Sequence, residues 1–166
     1  MLGYLKRLNN TCDSIYYIRM NLYKFLKNEE KDFQGRYLSD IWSFSDDEIE
    51  DNHDFIQILF PLDKPSEAVD HNIYLKDVNE FLKIKNDEIT KKNIIKSKDW
   101  FIKFLKRNDQ WKLYSDHNQL RITRIIECLR LLISDEEADS FYSLILSMVG
   151  EEIEINEITL DYWSKA

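Results

Sequence analysis

The apolar residues of this chain recur at three- and four-residue steps almost from end to end, the period of an amphipathic helix. Ile15, Ile18, Leu22 and Phe25 draw one such stripe. Ile122, Ile125, Ile126, Leu129, Leu132 and Ile133 draw a second, and Ala138, Phe141, Ile145 and Met148 a third. Three glycines and two prolines in 166 residues leave few turn formers for a β-sandwich. The expected fold is all-α: a single compact bundle of about seven to eight helices, with one longer loop after Pro61. Residues 1–166 form one domain in this reading, with 1–12 as a frayed end.

Local signals divide the chain. Asp32-Phe33-Gln34-Gly35 breaks the first helix, and a short one follows through Leu38, Ile41 and Trp42. Ser45 with Glu48 has the capping-box spacing, and Asp46, Asp47 and Glu48 suit the positive end of the helix dipole. The third helix then carries Ile49, Ile56, Leu59 and Phe60 as far as Pro61, which forbids continuation. Pro65 holds an extended loop to about residue 74. Further helices are predicted around Leu75–Lys85 and from near Asp87, the latter using Ile94, Phe101 and Leu105. Asn108–Asn118 reads as a loop pinned by Trp111. A helix from about Leu120 has Leu120 and Leu131 opposite its main stripe, so it is expected to be buried from two directions. Ser134 and Glu137 repeat the capping box, Gly150 stops the next helix, and Ile158, Leu160, Tyr162 and Trp163 dock back as a last short one.

The net charge of -8 repels phosphate backbones and anionic headgroups, which counts against nucleic-acid and membrane-surface partners. The basic stretch Lys91, Lys92, Lys96, Lys98, Lys103, Lys106 and Arg107 spreads around a helix and reads as a solvated face. No run approaches the ~18–20 apolar residues that span a bilayer. Met1–Leu8 has no apolar core or cleavage site of a signal peptide, and Cys12 and Cys128 are two scattered cysteines. A reducing, cytoplasmic setting is expected.

Polar residues interrupt two of the stripes. Asn52 falls within the third helix's apolar face and His53 lies beside Phe60. A buried amide left unpaired costs about 1–3 kcal/mol, so partners are required. They form either a structural network or, with Gln57, a polar pocket for a ligand; His53 as a general base is a third reading. Asp54 is turned away from His53 and does not make a ready dyad with it. Arg121 and Arg124, three apart, could clamp one carboxylate or phosphate, or pair with acids such as Glu127. His117 and Asn118 either cap that helix or join the pocket. His53, His71 and His117 lack metal-ligand spacing, and no phosphate-binding glycine loop or nucleophile elbow occurs. No catalytic residue, metal or cofactor is assigned.

Several segments together resemble the opioid growth factor receptor family, over roughly Asn21 to Trp163. Phe25-Leu26-Lys27-Asn28, Asp32 and Gly35-Arg36 resemble its FYxG…D…GR element. His53-Asp54-Phe55-Ile56-Gln57-Ile58-Leu59-Phe60-Pro61-Leu62 resembles its HDYIQWLFPL signature, and Gln119-Leu120-Arg121-Ile122-Thr123-Arg124-Ile125 its NLRITRI. Thr159-Leu160-Asp161-Tyr162-Trp163 is similar to its closing LDYF. The chain departs at Ile58 for the signature tryptophan, Leu26 for an aromatic, Asn28 for a glycine, and Ser66-Glu67-Ala68 for Gly-Met-Asn. The resemblance implies an all-helical domain and peptide reception, since animal members are described as receptors for an opioid pentapeptide. It assigns no contact residues.

The expected function is a non-enzymatic binding or interaction module for a peptide or protein partner or a small anionic ligand. Its site would be Asn52, His53, Gln57, His117, Arg121 and Arg124. The alternative is a hydrolase or transferase with His53 as base and Arg121/Arg124 as anion clamp. Both require the polar groups of the third helix and of the helix after Leu120 to meet in space.

Overall fold

The computed structural model describes residues 20–66, 73–150 and 154–166. Among these residues the regular structure is nine α-helices and one 3₁₀ turn, with no strand. The helices are α1 (Leu22–Leu26), α2 (Leu38–Ile41), α3 (Asp46–Asp51), α4 (Ile56–Leu59) and α5 (Val78–Asn86). After them come α6 (Glu88–Leu105), the 3₁₀ turn Gln110–Lys112, α7 (His117–Leu132), α8 (Asp135–Val149) and α9 (Glu157–Lys165). The all-α bundle is therefore as its periodicity predicts. Ile15, Ile18, Cys12 and His71, and the expectation of a frayed end at 1–12, lie outside the described residues.

Side-chain caps place most helix starts. Ser45 Oγ accepts from Glu48 N and Glu48 Oε2 accepts from Ser45 N, the full reciprocal box of α3. Asp87 Oδ1 accepts from Ile89 N and Thr90 N at the head of α6, while its Oδ2 accepts from the Tyr23 hydroxyl at 2.8 Å and so ties α1 to α6. Ser134 Oγ accepts from Glu137 N at 3.2 Å, but Glu137 turns to Lys98 of α6 and leaves that box half made. Gly150, at φ +84°, ends α8 in a conformation costly to any residue with a Cβ.

α7 runs through the middle of the bundle, packed against α6, α8, α9 and the 3₁₀ turn. Phe25, Phe55, Phe60, Phe101, Phe104, Trp111, Phe141 and Trp163 are buried around it. Burying one such side chain contributes about 1.5–3 kcal/mol, so these aromatics carry much of the core. Trp111 donates from Nε1 to Leu105 O at 3.0 Å, which pins the connection before α7 as its sequence suggests. Gln119 gathers three elements: its Nε2 donates to Trp111 O and Leu113 O, its Oε1 accepts from Thr159, and its carbonyl accepts from Trp163 Nε1. That carbonyl also accepts from the Thr123 hydroxyl at 3.1 Å, and its bond to Trp163 helps to hold α9 on the bundle. Among the described residues no helix is long and apolar enough to cross a membrane.

The third helix departs from expectation. Instead of running to Pro61 it stops at Asp51, and Asn52 leaves it in an extended conformation (φ -90°, ψ 127°). The cause is non-local. Ile49 O and Asn52 O accept from Arg121 of α7, and Glu48 O accepts from both Asn52 N and Asn52 Nδ2. A cation on the last carbonyls also suits the negative end of the α3 dipole. Beyond the break Asp54 pairs with Arg36, which simultaneously takes buried Asp32 at 2.7 Å. Residues 55–60 then form a wholly buried segment containing α4.

Candidate functional site: a cleft between α4, α7 and α9

The break after α3 opens one wall of a cleft of about 550 Å³. His53, Gln57, His117, Arg121 and Arg124 all border it, so five of the six candidate residues are brought together. Asn52 does not border it; it stands behind Arg121 as a backbone acceptor and caps α3. Leu120 is 61% exposed and Tyr162 60%, both on the cleft edge. The expectation that Leu120 packs in a second buried face is therefore corrected: α9 covers α7 through Trp163 and leaves Leu120 beside the opening.

Arg121 is 4% exposed, with every Nη hydrogen engaged. Nη1 donates to Ile49 O and Asn118 Oδ1, each at 2.9 Å; Nη2 donates to Asn52 O at 2.7 Å and meets His53 Nδ1 at 3.2 Å. Its guanidinium also stacks over the Phe55 ring. Burial pushes its pKa down to about 10, while Glu50 and Asp116 hold it up, so it is a cation at neutral pH. A guanidinium only donates, so His53 Nδ1 is the acceptor and the ring proton sits on Nε2.

Glu50 is the balancing charge. Its carboxylate receives His117 Nε2 at 2.8 Å, Asn118 Nδ2 at 3.1 Å and the Asn108 amide. His117 in turn stands edge-to-face on His53, with ring centroids 5.3 Å apart. His117 and Asn118 are thus network residues and not the cap of α7. Asp116 is the cap, accepting from Asn118 N at 2.8 Å. Gln57 belongs to the same wall: with its amide nitrogen facing the chain it donates to His53 O and Asp54 O, both at 3.2 Å, and satisfies the carbonyls of the break.

Arg124 is the exception. It is 7% exposed, donates from Nε to Phe60 O at 2.9 Å, and has a buried Nη2 with no partner among the described residues. Burial lowers its pKa, opposed by the neighbouring Cys128 and Glu127. Glu127 does not pair with it; that carboxylate takes Lys64 at 2.6 Å across the cleft. The two arginines therefore do not form a clamp, because Arg121 is spent on the protein and Arg124 alone retains a donor. His53 and Asp54 do not form a dyad either, since Asp54 is held by Arg36.

Sequence reasoning did not single out Glu50, Lys64, Thr159 or Tyr162, which complete the network or line the cleft. Glu50 was the findable one, three residues before His53 and so on the same helical face. No group of three or more His, Cys, Asp or Glu among the described residues is arranged to hold a metal.

Among the described residues, fold and cleft together define an all-α bundle with a cleft of mixed polar and apolar lining. No family model matches the chain, and neither a curated protein nor a solved structure matches it.

Proposed function

We propose that this protein is a non-enzymatic binding module, of the kind its opioid growth factor receptor-like segments suggest, that takes a peptide or small anionic ligand in the α4–α7–α9 cleft. The observation that carries this reading is Arg124, a buried guanidinium in the cleft wall whose Nη2 lacks an acceptor. An unpaired charged donor costs more than the ~1–3 kcal/mol of a neutral one, and a ligand oxygen would remove that cost. Three of the four segments carrying the resemblance, His53–Leu62, Gln119–Ile125 and Thr159–Trp163, contribute residues to the lining of this cleft, which favours a common role for them. The buried free thiol of Cys128 accords with a reducing compartment.

The hydrolase or transferase reading is weaker. With Nδ1 accepting from Arg121, the one ring lone pair of neutral His53 is already engaged, which counts against a general base there. Among the described residues, Ser66 is the one serine or cysteine in the cleft lining.

The test is a thermal-shift screen with acetate, inorganic phosphate and short acidic peptides, on the wild type, Arg124→Met and the surface control Lys103→Met. A stabilising probe should lose its effect in Arg124→Met and keep it in the control. Equal shifts in all three proteins would remove the cleft from the account.

A further inference from the structure

Resting on that reading, we propose that the cleft takes a monocarboxylate carrying an apolar body, such as a medium-chain or arylalkyl carboxylic acid. The donor count sets the head group. Of the three cations on the wall, Arg121 has its Nη hydrogens on Ile49, Asn52, Asn118 and His53, and Lys64 is paired with Glu127. That leaves Arg124 Nη2 as the buried cationic donor without a partner among the described residues, beside the His53 Nε2 proton and the remaining ammonium hydrogens of exposed Lys64, whose charge Glu127 already balances. A phosphate dianion brings three acceptor oxygens and needs several charged donors, and here it would also face the carboxylate of Glu127 on the cleft wall. A carboxylate brings one charge and two oxygens. The stoichiometry fits.

The rest of the wall sets the body. Ile56 and Leu62 line the interior, and Leu120 and Tyr162 stand more than half exposed at the edge, where water is a poor neighbour for them. The volume of about 550 Å³ falls in the range of roughly 300–1,000 Å³ typical of small-molecule sites. Such sites combine an apolar lining with a few placed polar groups, as here. A wholly polar anion would leave the four apolar side chains uncovered, and a neutral lipid would leave Arg124 unpaired.

Isothermal titration of the full chain with octanoate, 3-phenylpropionate, octanamide, acetate and inorganic phosphate tests this. Octanoate or 3-phenylpropionate should bind saturably, and octanamide and acetate about tenfold or more weaker, the first losing the charge and the second the body. Arg124→Met should lose octanoate binding. Leu120→Glu, at an exposed position that leaves the core intact, should lose it as well by replacing an apolar contact of the body with a charge. If octanoate and octanamide bind alike, the Arg124 assignment is wrong. If phosphate binds through Arg124 and octanoate does not, the apolar monocarboxylate falls while the binding module stands. If no probe binds, the apolar monocarboxylate falls, and the acidic peptides of the thermal-shift screen decide the binding module.

Discussion

Arg121 Nη2 lies 2.7 Å from Asn52 O and 3.2 Å from His53 Nδ1, so one guanidinium spans from α7 to both residues of the α3–α4 break. The bend that forms the cleft wall is therefore held from the other side of the molecule. Removing that guanidinium should cost far more than removing an ordinary surface charge.

Arg121→Met strands Ile49 O, Asn52 O and Asn118 Oδ1, and should lower unfolding stability by about 3 kcal/mol in urea titrations. Arg121→Lys should not restore it, because an ammonium cannot reach both carbonyls with a planar fork. A loss below ~1 kcal/mol would show that the break is set locally after all.

Arg124→Met should behave oppositely. It gives up the bond to Phe60 O but also removes a buried cation that is short of an acceptor. The two effects offset, and stability should stay within about 1 kcal/mol of wild type by chemical denaturation. A fall as large as that of Arg121→Met would make Arg124 a structural clamp and weaken its role at the ligand.

Asp87 links α1 to α6 and should appear in the acid limb. Chiefly the Thr90 N–H bond, with help from the Tyr23 hydroxyl and against desolvation, holds its carboxyl below the usual 3.8. A depressed folded pKa gives stability that is present above 3.8 and lost as pH falls through the lower folded value. Asp87→Ala should cost about 1 kcal/mol at neutral pH through the lost cap. Its urea midpoint should fall less steeply than wild type below about pH 4, so that the two curves approach each other in strong acid. Parallel curves would contradict the assignment.

Cys128 should be chemically silent in the native state. Burial raises its thiol to about 12, so the protonated form's contribution is intact below 9.0 and lost only as pH rises through the folded value. In a Cys12→Ser background, a thiol reagent at about pH 8 should react no faster than global unfolding, with the rate rising across the urea transition. Fast labelling without denaturant would mean that α7 opens locally.

Much of the bundle is visible in residue period alone. The α7 stripe, the Ser45 box, the Asp87 start and the Gly150 stop each depend on neighbours within a few positions. The break at Asn52 does not. Its apolar period continues to Phe60, and what ends the helix is a guanidinium 69 positions further along the chain. For the same reason the roles of the two arginines invert. Helical projection puts Arg121 at the border of the core and Arg124 further out, yet α4 and its Phe60 carbonyl come across to bury Arg124. Pocket membership of His53 and Gln57 was legible because polar side chains on an apolar face must find company, whereas His117, just ahead of the predicted helix, reads equally as a cap. Which of them remains available to a ligand depends on counting acceptors in three dimensions.

The docking of α9 has a consequence for the breadth of the cleft. Thr159 and Tyr162 line its far wall, and their helix is fastened to the bundle by Gln119, by Asn156 on Tyr114 O and by Arg130 on Ala166 O. Of these ties Gln119 holds the middle of the helix, and it also bonds the 3₁₀ turn on its other side. Whatever loosens the Trp111 turn would slacken the far wall through that residue, and the aperture would widen with the break after α3 left unmoved.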